Sequence, residues 1–148
     1  MQPKKLTGWL ILLIVWIGFF GGLGAVRGLK MAEDTYGPYI SVYTYMHLAI
    51  TVFQLLLGAS IAAWVYTAWV LYRREPGTLA RAQTGLLVGA VLRIAGNYAI
   101  PLLAGLPSDA VTVLIRDAFP ASLFVLAFTG GWYLYLTRSH RVRDVYTG

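Results

Sequence analysis

Apolar residues along this chain are concentrated in four long blocks, and the breaks between the blocks are polar. Each block reaches the ~20 residues that a helix needs to cross ~30 Å of hydrocarbon. Because hydrocarbon offers the backbone no hydrogen-bond partner, we expect every block to be helical. The pattern therefore predicts an all-α fold, an integral membrane four-helix bundle in a single domain. The predicted helices cover residues 6–26, 45–72, 82–103 and 111–137, and a basic tail follows at 138–148.

The composition is typical of a membrane protein. Hydrophobic residues make up 58% of the chain and charged residues 12%, which is about half the charged share of an ordinary soluble protein. A water-soluble fold of 148 residues could not bury that much apolar surface. The chain has no cysteine, which excludes disulfides, thiolate metal sites and cysteine nucleophiles.

The basic residues are distributed unevenly between the two ends of the predicted helices. The connections on one side contain only Arg27, Lys30 and Arg116, accompanied by acidic residues. Because cytoplasmic loops carry the excess of Lys and Arg, the distribution predicts an N-in, C-in topology with both termini cytoplasmic. Topology also explains the net charge of +6, so no nucleic-acid partner is expected. The basic residues assigned to the cytoplasmic side are Lys4, Lys5, Arg73, Arg74, Arg81, Arg138, Arg141 and Arg143.

Glycines recur four residues apart on the first and third predicted helices. In lipid there is little hydrophobic attraction between helices, so close backbone approach supplies much of the association energy. We expect these glycines to mark packing surfaces, either within one bundle or between protomers. The pairs are Gly18 with Gly22, Gly24 with Gly28, and Gly85 with Gly89.

One cationic residue, Arg93, lies near the middle of the third predicted helix. A charge at that depth costs ~3 kcal/mol or more, so something must compensate it. Polar residues of three helices fall in the same non-cytoplasmic half of the membrane and form a candidate polar cavity. The members of this predicted cavity are Arg93, Asn97, His47, Thr51, Gln54 and Asp117.

Arg93 has three possible roles. It could lie at the floor of a cavity and bind a carboxylate, a phosphate or a lipid headgroup, because a guanidinium recognises such groups with two parallel donors. It could form an internal salt bridge with Asp117, helped by Asn97 and Gln54, that fixes the helix register. It could also extend towards lipid.

No sequence motif indicates a reaction, and we expect neither an enzyme nor a bound cofactor or metal. HExxH, GxSxG, P-loop and paired-carboxylate patterns do not occur in the sequence. The two histidines, His47 and His140, fall at opposite ends of the predicted helices and cannot share one haem or metal. Each is expected to form hydrogen bonds near the membrane surface.

The end of the last helix and the tail resemble an uncharacterised bacterial family of four-helix inner-membrane proteins, domain-of-unknown-function family 2569. The shared pattern is W-x-x-Y-x-x-x-S-x-R-V-(K/R)-x-x-(F/Y), and a Gly-Trp-Leu opening is matched at residues 8–10. The resemblance implies four helices in the bacterial inner (plasma) membrane and brings no activity with it. It also implies a specific cytoplasmic contact through the tail. The residues that match are Trp132, Tyr135, Ser139, Arg141, Val142, Arg143 and Tyr146.

Our leading functional hypothesis from the sequence is a non-enzymatic accessory protein of the membrane that binds a partner or a lipid. Its expected partners are the lipid bilayer and either a membrane protein or further copies of itself. The alternative is a small transporter or channel component that uses a polar cavity around Arg93, open to the non-cytoplasmic side. A third class, a haem or redox carrier, is supported only by the aromatic residues and His47.

Overall fold

The computed structural model describes residues 8–146, apart from the side chains of Trp9 and of residues 20–25. Almost all of the described residues are helical, as the apolar blocks predicted. Some of the sequence predictions lie outside the described residues. They are the cytoplasmic placement of Lys4 and Lys5 and the packing of Gly22 and Gly24.

The helices follow one another with short connections. A π-helical segment, Trp16–Phe20, joins the first two, so that α1, this segment and α2 form one N-terminal helix. Helices α3, α4 and α5 coincide with the second, third and fourth predicted helices to within a few residues. The bounds are α1 Gly8–Val15, α2 Gly21–Tyr36, α3 Met46–Arg73, α4 Thr78–Leu103, α5 Ser108–Arg138 and α6 His140–Tyr146.

The N-terminal helix is longer than predicted. Its end was placed at residue 26, where the apolar block stops, but the helix continues to Tyr36. The charges that begin at Arg27 end the apolar block without ending the helix, because the following residues include good helix formers and no proline. The helix stops only at the 3-10 turn Gly37–Tyr39, where Pro38 disfavours helical backbone in the residue before it.

Three of the helices, α3, α4 and α5, are long and apolar enough to cross a membrane. In the described part of the N-terminal helix the apolar stretch is shorter, Leu10–Phe19. Glycines and then Arg27 and Lys30 follow it, which lowers the hydropathy of the rest of that helix. Three of the four predicted spans are therefore present by length and composition.

Helices α3 and α4 form the central pair of the bundle. Gly85 and Gly89 are buried on the side of α4 that faces α3, where an added Cβ would overlap Thr67 Oγ1 or the Trp64 indole. The buried hydroxyl of Ser60 donates a hydrogen bond of 2.9 Å to the Gly89 carbonyl. This glycine pair thus packs within one bundle and not between protomers.

The described glycines of the N-terminal helix pack less closely. A Cβ at Gly28 would lie 3.5 Å from Leu57 Cδ2, which is an ordinary van der Waals contact. At Gly18, no atom of the described residues lies within 4 Å of the Cβ position. Among the described glycines, the closest helix approach is therefore at the α3–α4 contact.

Two apolar clusters hold the helices together, one at each end of the bundle. At the end that we call the terminal end, Leu10 of α1, Leu71 of α3 and Val142 of α6 belong to one buried cluster. At the opposite end, the loop end, Ile100 of α4 belongs to a second cluster, against which Tyr36 packs. The N-terminal helix thus runs from the terminal end of the bundle to the loop end, and α5 returns the chain to the terminal end.

We predict that Gly89→Ala lowers the free energy of unfolding by about 1–3 kcal/mol, because the added methyl group overlaps the Trp64 indole. Gly58→Ala on α3 is the matched control, since no atom of the described residues lies within 4 Å of its Cβ position and alanine is the better helix former. Thermal unfolding of the detergent-solubilised variants, followed by circular dichroism, measures both. Equal loss of stability in the two variants would contradict the packing described for α3 and α4.

Candidate binding cleft

A cleft of about 410 Å³ opens between the N-terminal helix and α5 in the loop-end half of the bundle. Helix α2 packs on α3, and α5 packs on α4, but α2 and α5 make few direct contacts with each other. The cleft is the space that this arrangement leaves, and α4 forms its floor. Its lining is mostly apolar and includes Gly28, Met31, Ala32, Thr35, Tyr36, Phe53, Gly96, Asn97, Ile100, Pro101, Leu114, Asp117, Ala118 and Ala121.

Towards the terminal end, an aromatic cluster centred on Phe128 connects the N-terminal helix and α5. The Phe128 ring lies 6.3 Å from the ring of Trp16 on the N-terminal helix, and also 6.3 Å from that of Trp64 on α3. Ring pairs at such distances add about 0.5–1.5 kcal/mol beyond the area that they bury. The N-terminal helix and α5 are therefore joined in the terminal-end half and apart in the loop-end half.

Asn97 supplies most of the polar character of the cleft floor. Its Nδ2 donates a hydrogen bond of 3.2 Å to Ser122 Oγ on α5, which in turn donates to the Ala118 carbonyl. Pro101, which lines the cleft one turn further along α4, has no backbone N–H, so the Asn97 carbonyl loses its usual donor four residues ahead. Asn97 thus contributes acceptor oxygens to a largely apolar surface.

Asp117 and Tyr36 line the cleft near the loop end, on α5 and the N-terminal helix. Asp117 also pairs with the neighbouring Arg116 at 3.8 Å, with side chains 65% and 77% exposed respectively. An ion pair that long and that exposed contributes little to stability, roughly 0–1 kcal/mol. Both charges remain available to a ligand.

Arg93 is half-buried on α4, one turn below Asn97 on the face of the helix that also carries Gly89 and Gly96. Within the described residues it forms neither a hydrogen bond nor an ion pair. The internal salt bridge between Arg93 and Asp117 is therefore not formed, because Asp117 lies nearer the loop end and pairs with Arg116. Arg93 lies below the cleft and is not part of its lining.

The structure separates the six predicted cavity residues. Asn97 and Asp117 line the cleft, whereas His47, Thr51 and Gln54 on α3 do not. The Thr51 hydroxyl donates to the His47 carbonyl within α3 at 2.9 Å. Gln54 Nε2 reaches outwards to the carboxylate of Glu33 on the N-terminal helix at 3.2 Å, and so joins these two helices outside the cleft.

Sequence reasoning missed three polar residues of this region. Tyr36 and Glu33 lie beyond residue 26, where the apolar block predicted the end of the first helix, so neither was expected on that helix. Ser122 lies among apolar residues of α5, 25 positions from Asn97, so no local sequence pattern connects the two residues. The signal that could have indicated Ser122 is its position two residues after Pro120, where the helix already lacks a backbone hydrogen bond.

The C-terminal motif lies at the terminal end, and part of it faces the bundle itself. Val142 is 1% exposed and belongs to the terminal-end cluster. The Tyr146 hydroxyl donates a hydrogen bond of 2.6 Å to the Leu71 carbonyl, near the end of α3. Because Val142 and Tyr146 are four residues apart, they lie on one face of α6. The tail therefore folds back onto the bundle.

Some of the remaining motif residues pack against the bundle, and the others are exposed. Trp132 and Tyr135 pack against the terminal-end cluster, with their rings edge to face at 5.6 Å. The backbone N–H of Ser139 donates to the Tyr135 carbonyl at 3.1 Å, where the chain turns from α5 into α6. Arg141 is exposed, and Arg143, also exposed, donates from Nη2 to the Thr137 carbonyl at 3.1 Å. Only the two arginines present their charges outwards.

Burial raises the pKa of Tyr146 to about 12, although the nearby Arg74 acts in the opposite direction. The docked tail therefore favours the protonated phenol, whose ordinary pKa is about 10. Since the folded pKa is the higher one, the contribution of this phenol to stability is complete below pH ~10 and disappears as the pH rises through about 12.

We predict that the tyrosinate absorbance of the wild type minus that of Tyr146→Phe titrates near pH 12, the pKa of the buried phenol. In a Val142→Asp background, which should detach α6 by burying a charge, the same difference should move towards pH 10. A difference spectrum that already titrates at pH 10 in the wild type would show that the tail does not dock.

Comparison of the chain with protein-family models, with curated proteins and with solved structures finds no match. Among the described residues, no group of three His, Asp or Glu side chains could hold a metal ion. The candidate site is therefore defined by its own geometry: an apolar cleft with acceptor oxygens on its floor and a loosely paired acidic and basic residue at its loop end.

Proposed function

We propose that this protein is a membrane-embedded accessory protein that binds a lipid in the cleft between its N-terminal helix and α5. The single observation that carries the proposal is the cleft itself, about 410 Å³ in volume and largely apolar, with Asn97 and Asp117 among its polar lining residues. Small-molecule sites combine a mostly apolar concave surface with a few placed polar groups in the same way. A soluble metabolite would not need so apolar a site.

Four crossings with both termini cytoplasmic form part of this proposal. Leu10 and Val142 belong to the same cluster, so the two ends of the described chain meet at one end of the bundle. If α3, α4 and α5 each cross the membrane, the N-terminal helix must cross as well. The basic residues Arg73, Arg81 and Arg138 lie at that end, which favours a cytoplasmic location for it.

With that orientation, the cleft opens in the outer leaflet. Asp117 and Tyr36 then lie nearer the headgroups, while apolar residues such as Gly96 and Ala121 line the deeper part. A lipid has the same order of groups along its length, polar first and apolar below. The gap between α2 and α5 faces the bilayer, so a lipid could enter sideways without leaving the membrane.

A lipid fits the cleft better than a partner helix does. The volume of about 410 Å³ falls in the range of small-ligand sites, ~300–1,000 Å³. A helix with its side chains is ~10–12 Å across, so several turns of a docking helix would need much more space. Contact with a partner protein elsewhere, for example through the tail, remains compatible with lipid binding.

The second candidate function is a small transporter or channel component. It is favoured by one observation, the half-buried Arg93 without a carboxylate partner among the described residues. A cation at that position could attract an anion that passes below the cleft. We also propose that the protein lies in a bacterial inner membrane, that it belongs to the family that its tail resembles, and that it has no enzymatic activity.

We predict that Ala121→Trp reduces the lipid retained by the purified protein several-fold, because the indole fills the cleft that Ala121 lines. Leu123→Trp is the matched control on the same helix, since Leu123 is 49% exposed and lies outside the cleft. Native mass spectrometry after release from detergent micelles counts the lipids that remain bound.

Lipid retention that is the same in Ala121→Trp as in the control would argue against a cleft site. If the wild type releases every lipid under conditions in which it stays folded, lipid binding itself is excluded. Loss of anion flux on Arg93→Ala, with the protein still folded, would instead support the transporter.

A further inference from the structure

We propose that the cleft selects phospholipids whose headgroup carries a primary ammonium, with Asp117 binding the ammonium and Arg116 the phosphate. This inference rests on the proposed function and names the class of lipid that the same site would take. Its basis is the position of the Asp117 carboxylate in the lining of an apolar cleft, with the guanidinium of the neighbouring Arg116 3.8 Å away.

The pairing between Asp117 and Arg116 leaves both charges free to exchange partners. Their nearest approach, 3.8 Å, is longer than a charge-assisted hydrogen bond of about 2.7–2.9 Å. Both side chains are also more than half exposed. A zwitterionic headgroup brings a phosphate and an ammonium as one unit, so it can satisfy both residues without adding net charge to the site.

Asn97 adds hydrogen-bond acceptors to the floor of the cleft. One of the two N–H bonds of the Asn97 side-chain amide is donated to Ser122, while the amide oxygen can accept, and Pro101 leaves the Asn97 backbone carbonyl without its helical donor. An ammonium with N–H bonds supplies donors that match these acceptors. A quaternary ammonium has no N–H, and a glycerol headgroup has no positive charge to pair with Asp117.

Charge complementarity therefore orders the common headgroups. Phosphatidylethanolamine can use both Asp117 and Arg116 through charge-assisted hydrogen bonds. Phosphatidylcholine offers a positive charge without N–H donors, and phosphatidylglycerol offers a phosphate and neutral hydroxyls without a positive charge. In a partly dehydrated site, charge-assisted hydrogen bonds are the strongest contribution to such a preference. A lipid that cannot make the charge-assisted contact with Asp117 should be retained about tenfold less than phosphatidylethanolamine.

The test uses the full-length protein and an equimolar mixture of phosphatidylethanolamine, phosphatidylcholine and phosphatidylglycerol with identical acyl chains. Native mass spectrometry measures which lipids remain bound to the wild type, to Asp117→Asn and to Asp109→Asn. Asp109 is the matched control, because it lies in the first turn of α5 and outside the cleft lining. We expect about a tenfold preference for phosphatidylethanolamine in the wild type and in Asp109→Asn, and its loss in Asp117→Asn.

The outcomes separate this inference from the proposed function. Lipid retention without headgroup preference, or a preference that survives in Asp117→Asn, overturns the headgroup assignment and leaves lipid binding intact. Retention of none of the three lipids overturns both. In a further arm, free phosphoethanolamine is added at the concentration of the lipid. Displacement of the lipid would mean that the site recognises a soluble ligand and would overturn the assignment to a lipid, whereas unchanged retention supports it.

Discussion

The close contact between α3 and α4 is the constraint on which the rest of the bundle depends. Gly85 and Gly89 bring the two backbones together, and the Ser60 hydroxyl joins them through a buried hydrogen bond to the Gly89 carbonyl. In lipid, packing and hydrogen bonding of this kind replace the hydrophobic effect as the force between helices. The N-terminal helix then packs on α3 and α5 on α4, so their separation is set by the central pair.

That arrangement explains why the bundle is closed in one half and open in the other. Towards the terminal end, the Phe128 ring of α5 contacts the rings of Trp16 on the N-terminal helix and Trp64 on α3. Towards the loop end, the walls of the cleft include small residues such as Gly28 and Ala121. A cleft at this position follows from the order of large and small side chains along the two helices, and its polar groups then decide what can occupy it.

Much of the fold could be predicted from the sequence, because apolar blocks report directly on helices in lipid. The bounds of α3, α4 and α5 were predicted to within a few residues, but the N-terminal helix was predicted too short, since its charges from Arg27 onwards were taken as its end. A helical wheel predicts which residues share one face of a helix, but it does not predict which neighbouring helix that face contacts. For that reason the structure brings Asn97 and Asp117 to one cleft, whereas Gln54 joins Glu33 outside the cleft and Arg93 has no salt bridge with Asp117.

The separation of α2 and α5 at the loop end is the claim on which the lipid site depends most directly. Because the chain has no cysteine, Met31→Cys and Leu114→Cys can carry two nitroxide labels on opposite walls of the cleft. Electron paramagnetic resonance of this pair in lipid nanodiscs measures their separation. We predict that this pair shows none of the short-range dipolar broadening that labels on two helices packed with ~8–10 Å between their axes can give. Strong short-range dipolar broadening, as expected for helices in direct contact, would show a closed cleft and contradict it.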